Sequence, residues 1–139
     1  MKRINDKINE IYKYLEELGS IAPSSFEEYK SSIEKKAACE RYFEKIAEAI
    51  IDLAFLAIKA KNLRVPEDDV DAFSILLENK IIDNNLASRL KNAKGMRNII
   101  SHQYGKVDDE LVFESITNEL IIDSKEFIKE ISNWLNKFK

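Results

Sequence analysis

Apolar residues recur every third or fourth position along most of this chain, the spacing of α-helices that bury one face. Ile4, Ile8, Ile11, Tyr12, Leu15 and Leu18 predict a first helix over about residues 3–18, with Gly19 as its stop. Residues 20–25, with Pro23 among them, read as a turn. Ser25 and Glu28 have capping-box spacing, so a second, long helix is expected to start near Ser25 and to continue to about Asn62. Its first half is amphipathic. Its second half, residues 49–58, is apolar nearly all round, as suits a central buried helix. After Pro66 the pattern predicts a short helix over about residues 70–78 and a longer one from Asn84 to His102, with a break at Gly105 and Val107. A last long helix starts near Asp108, where acids suit a helix N-terminus. It carries Leu111, Val112, Ile116, Leu120, Phe127, Ile131, Trp134 and Leu135. The prediction is all-α: an up-down bundle of four long helices plus one short helix, in a single domain over residues 1–139.

Composition agrees, since three Gly and two Pro in 139 residues leave few places to turn. One Cys makes no internal disulfide, and one His with one Cys builds no His or Cys metal cluster, so neither a metal nor a cofactor is expected. The longest apolar run, residues 49–60, is broken by Asp52 and Lys59 and is too short to cross a bilayer. Met1 is followed by a mixed-charge helix instead of an apolar signal region, so a cytoplasmic chain without a membrane partner is expected. The net charge is −3, but it is unevenly spread. Between Asp83 and Asp108 there is no acid, while Arg89, Lys91, Lys94, Arg97 and Lys106 fall there. The stretch 108–119 then holds Asp108, Asp109, Glu110, Glu114 and Glu119 and no base. A local positive field attracts phosphate even on an acidic protein. The same pattern also fits a solvated helix followed by an acid-rich helix start.

Two charges sit badly in a plain bundle. Asp52 is the only charge within residues 49–58, and a lone buried carboxylate needs a partner, a hydrogen-bond set or a solvated gap. Glu48 lies one turn earlier on the same face and Lys59 about two turns later, which equally fits a solvent-facing edge. Arg97 projects between Leu86 and Leu90, inside the stripe completed by Ala93, Met96 and Ile100. An Arg keeps its charge, so there it must meet a carboxylate, with Asp52 and Glu48 as candidates, or a phosphate or a subunit boundary. His102 lies about 140° further round the same helix. One straight helix therefore does not aim both side chains at one spot. Either the helix distorts before Gly105, or two copies meet and share their residues. Asn98, four residues before His102, can position the imidazole. By itself His102 also reads as a helix-end histidine without chemistry, and Tyr104 as a ring packed on the bundle.

Residues 97–104, Arg-Asn-Ile-Ile-Ser-His-Gln-Tyr, have the form R-N-x-x-x-H-x-Y. This resembles the HEPN superfamily and, within it, the HepT-like toxins that pair with an MNT-type minimal nucleotidyltransferase antitoxin. Residues 39–52 look like the family's second helix, and residues 66–73, 96–104 and 107–113 look like the remainder in order. The non-aromatic Val70 in the short helix is a small departure that touches no proposed role.

The resemblance implies a HEPN-like fold and a homodimeric, metal-independent endoribonuclease acting as the toxin of a two-gene module. It also implies that Tyr104 matches the tyrosine to which the partner nucleotidyltransferase adds AMP from ATP. The residue chemistry is compatible with RNA cleavage by 2′-OH attack. His102 suits a base or acid near neutral pH. Arg97 suits the developing phosphate charge, and Asn98 the imidazole or a phosphate oxygen. Arg89, Lys91 and Lys94 would guide the RNA backbone. Two alternatives stay open: a non-catalytic module that binds a nucleotide or partner through the Arg97–His102 surface, and a structural helical protein that pairs through the Arg97 face.

Overall fold

The computed structural model describes residues 2–102 and 108–137, the side chains of Ser101 and His102 excepted. Helix α1 (Lys2–Ile21) is followed by α2 (Phe26–Ser31), α3 (Ile33–Ala60), α4 (Asp69–Glu78) and α5 (Asn84–His102). The last rod consists of α6 (Asp109–Glu114), one π-helical segment (Ser115–Glu119) and α7 (Leu120–Asn136). The chain is an all-α bundle, as the periodicity predicts, and no strand occurs among the described residues.

Two boundaries differ from the sequence expectation. Gly19 does not end α1. The helix runs on to Ile21, and Ala22 N–H still donates to the Leu18 carbonyl at 2.8 Å before Pro23 stops it. Gly19 is exposed, with open space around it, so the helix continues past it at a modest cost. Proline ends the helix because its ring lacks a donor and pushes the preceding residue out of the helical region. The long second helix is likewise two helices. Ser32 adopts extended backbone, φ −118° and ψ 109°, and its side chain accepts the Lys35 N–H at 3.2 Å, starting α3 anew. Ser25 caps α2 in the same way through the Glu28 N–H. The Glu28 carboxylate reaches back to Ser24 instead of Ser25.

Helix α3 is the axis of the molecule. It packs against α1, α2, α4, α5 and α7 and buries Phe43, Ile46, Ile50, Leu53, Ala54 and Ala57 among others. Its C-terminus closes with Asn62 at φ 53° and a Leu63 N–H bond to the Ile58 carbonyl, so the chain turns back over the bundle. In the last rod Val112, Ile116 and Leu120 are buried at four-residue steps, while Leu111 is 55% exposed. Four-residue steps drift round an ideal α-helix. The wider turn of the π segment offsets that drift and keeps the three on the core side. No helix among the described residues is long and apolar enough to cross a membrane.

At one end of the bundle Tyr29 is wholly buried against Phe26 and Phe113, with ring centroids 6.5 and 5.2 Å away. Its hydroxyl has no hydrogen-bond partner among the described residues, and burial pushes its pKa up. Tyr29→Phe removes an isolated buried hydroxyl and keeps the ring. It should therefore raise stability by about 1 kcal/mol in urea denaturation. A loss of similar size would mean that the hydroxyl is bonded.

Candidate functional site

Arg97 stands on the wall of a cleft formed by three helices. Along α1, Lys7, Glu10 and Tyr14 fall at i, i+3 and i+7. Along α3, Arg41, Lys45, Glu48 and Asp52 fall at i, i+4, i+7 and i+11. These two polar stripes converge, and α5 supplies Arg97. The resulting cleft has a volume of about 230 Å³, with Glu10, Tyr14, Arg41, Lys45, Glu48 and Asp52 among its lining. A larger groove of about 780 Å³ continues along α1 and α3 toward Phe55, Leu56 and Leu63 and shares Glu10 and Asp52 with it.

The Arg97 Nη2 donates to Glu48 Oε2 at 2.5 Å. Its Nε is buried without a hydrogen-bond partner among the described residues. Of the two acids named from sequence, then, Glu48 meets Arg97. Asp52 instead accepts from Lys7 Nζ at 3.4 Å, and Lys7 also pairs with Glu10 at 2.7 Å. The Tyr14 hydroxyl donates to Glu10 at 2.8 Å. Lys7, and after it Tyr14, hold the Glu10 carboxyl below its ordinary pKa. The Glu10 carboxylate in turn raises the pKa of Lys7 and of the Tyr14 phenol. Sequence reasoning missed this contribution of α1. Lys7, Glu10 and Tyr14 have the spacing of any solvated helix face, and only the packing of α1 on α3 makes them a wall.

The basic run on α5 divides in space. Arg89 turns to α7, where its guanidinium donates to Glu126 at 2.8 Å and to the buried Asp123, and its Nε donates to Asn85 at 2.8 Å. These acids raise the Arg89 pKa, Glu126 most. Three of its five N–H donors are thereby engaged within the protein, while the side chain stays 32% exposed. Lys94 donates to Asn98 Oδ1 at 2.9 Å and lies 3.7 Å from Asp69 of α4. Arg64 chiefly holds the Asp71 carboxyl below its ordinary pKa, with the backbone N–H of Glu67 and, least, the charge of Lys91 adding to it. His102 is the last residue of α5, but its side chain, and the whole of Tyr104, lie outside the described residues. Among the described residues no group of three or more His, Cys, Asp or Glu is arranged to hold a metal.

The family model described as ribonuclease HepT-like matches residues 11–131. The chain is 31% identical over 88 residues to the mRNA nuclease HepT of Shewanella oneidensis, an alignment spanning 63% of this chain and 65% of that relative. It is 27% identical over 114 residues to the tRNA nuclease HepT of Aphanizomenon flos-aquae, covering 82% of this chain and 78% of the relative. In three dimensions it is similar to a tri-AMPylated Shewanella oneidensis HEPN toxin solved in complex with an MNT antitoxin. The TM-score there is 0.86 at 25% identity, covering 94% of this chain and 96% of that one.

The two arginine clusters differ in burial, and so should their energetics. The Asp123 side chain is 10% exposed and that of Glu48 is 53% exposed. Arg89→Met, which strands a buried carboxylate, should cost about 3 kcal/mol in chemical denaturation. A double-mutant cycle on Arg97 and Glu48 should give a coupling below about 1 kcal/mol.

Proposed function

The chain belongs to the ribonuclease HepT-like family, and on that premise we propose that it is a metal-independent endoribonuclease toxin, active as a homodimer. The observation that carries this reading is Arg97 itself. It is a permanent cation on a cleft wall, with one amine fastened by Glu48, and neither Nη1 nor Nε hydrogen-bonded among the described residues. Such a fork is oriented in advance, and its Nη1 keeps donors for phosphate oxygens while the buried Nε faces the protein.

The chemistry follows from RNA's own nucleophile. The 2′-oxygen bonds to the adjacent phosphorus and the bond to the 5′-oxygen breaks, leaving a 2′,3′-cyclic phosphate and a 5′-hydroxyl. One imidazole takes the 2′-OH proton and an imidazolium gives a proton to the departing 5′-oxygen. One His per chain supplies both roles if two copies of His102 meet at the site. Arg97 offsets the negative charge that grows on the phosphate oxygens. The Asn98 carbonyl is taken by Lys94, so its amide N–H groups are the part available to an imidazole or a phosphate oxygen. Arg89, Lys91 and Lys94 would contact the RNA backbone.

Silencing would come from an MNT-type nucleotidyltransferase partner, a reading supported by the AMPylated relative in complex with its MNT antitoxin. The Tyr104 oxygen attacks the α-phosphorus of ATP and pyrophosphate leaves. The added AMP brings negative charge and bulk two residues from His102 and blocks the incoming RNA phosphate.

RNA cleavage should persist in EDTA, with Arg97→Ala and His102→Ala each lowering kcat at least about 100-fold at unchanged helical circular dichroism. Cleavage restored only by a divalent metal would overturn the mechanism. RNA binding without cleavage would favour a binding module.

Co-expression with the cognate nucleotidyltransferase should add mass to Tyr104 in steps of AMP and abolish cleavage. Tyr104→Phe should stay toxic and escape silencing. Silencing of that variant without an adduct would show control by binding alone.

A further inference from the structure

The Arg97 cleft has an aromatic side that the cleavage chemistry does not use. Tyr14 of α1 and Tyr42 of α3 meet edge to face, with ring centroids 6.4 Å apart and planes at 68°. The Lys45 Nζ lies 5.4 Å from the centroid of each ring. Tyr14, Lys45 and Arg97 line one cleft. The hydrogen bond from the Tyr14 hydroxyl to Glu10 pins the ring by its outer edge and leaves ring-face contact to a neighbour.

The carboxylates of this cleft are already paired. Glu48 holds Arg97, Glu44 lies 3.7 Å from Arg41, and Lys7 pairs with both Glu10 and Asp52. Lys45 makes no salt bridge among the described residues, and its ammonium rests on ring faces instead. A ring face is a weak partner for a cation beside water, and a phosphate is a far stronger one. A tyrosine face in turn accepts a nucleobase. Aromatic rings interleaved with a mobile cation are the means by which proteins hold single-stranded nucleic acid: rings take bases, the cation takes a phosphate.

We propose that Tyr14, Tyr42 and Lys45 form a subsite for a nucleotide next to the scissile phosphate of single-stranded RNA. The base stacks on the Tyr14 ring, which Tyr42 backs edge to face, and Lys45 moves from the ring faces to that nucleotide's phosphate. The strand then follows the α3 stripe past Lys45 to Arg97. Stacking does not discriminate strongly among bases, so this subsite selects for unpaired strand more than for sequence. The proposal rests on the ribonuclease reading above.

The test uses the full-length protein, one single-stranded oligoribonucleotide, and the same oligonucleotide with every 2′-OH methylated so that it binds uncut. Tyr14→Leu and Lys45→Met should each weaken binding of the methylated strand, and raise KM for cleavage, by about tenfold, with kcat within about twofold of wild type. Tyr14→Phe keeps the ring and should restore wild-type binding. Lys45 is half-exposed, so Lys45→Met decides the matter alone if Tyr14→Leu fails to fold. Wild-type Kd and KM in Lys45→Met, in a protein that still cuts RNA, would overturn the subsite and leave the ribonuclease reading intact. A wild-type protein that neither binds nor cuts would overturn both.

Discussion

A helix buried on nearly every side must still let its charges out. Helix α3 buries side chains along most of its length, yet Arg41, Lys45, Glu48 and Asp52 form one line down it. Leaving those charges in the core without water or partners would cost more than the packing gained. The bundle therefore parts along that line. Helix α1 meets it with a polar stripe of its own, and α5 sets Arg97 against it. The cleft is the consequence of one central helix that is almost, but not entirely, apolar.

The same requirement sorts the cations of α5. Arg89 and Arg97 lie two turns apart on one helix and face different neighbours. Arg89 meets Asp123, whose side chain is only 10% exposed, so that carboxylate depends on the guanidinium because little water reaches it. Arg97 meets Glu48, which is half-exposed, so the pair can be loosened by an incoming anion at small cost. One arginine thus ties α5 to α7 through a nearly buried carboxylate, and the other pairs across a cleft with an exposed one. Charge runs counted along the chain do not separate the two. Only the helix packed against each residue does.

Much of the architecture was legible in the residues. The apolar stripes of α1, α3, α5 and α7 and the caps Ser25 and Asp108 follow from local rules, and so does the stretch from Asn84 to His102. The break at Ser32 was not legible, because a serine between two good helical patterns reads as one more exposed position until its side chain is seen capping Lys35. The π segment was hidden for a related reason. Four-residue steps fit either a drifting α-helix or a single wide turn, and the core chooses between them.

For the site, helical periodicity alone puts Arg97 within an apolar stripe, where it must meet a carboxylate, a phosphate or a subunit boundary, and puts Glu48 and Asp52 on one face. The residue order also supplies the motif of residues 97–104, and with it the family. Helix packing settles that Glu48 takes the arginine, that Lys7 takes Asp52, and that Arg89 pairs with Asp123 and Glu126 of α7. It also settles that Tyr14 and Lys45 share a cleft with Arg97, with Tyr42 packed against both. The physical reason is one of range. Periodicity and capping are set by residues within about one helical turn of each other. Which carboxylate meets which cation depends on how helices far apart in the chain come to pack, and on how much water their packing leaves between them.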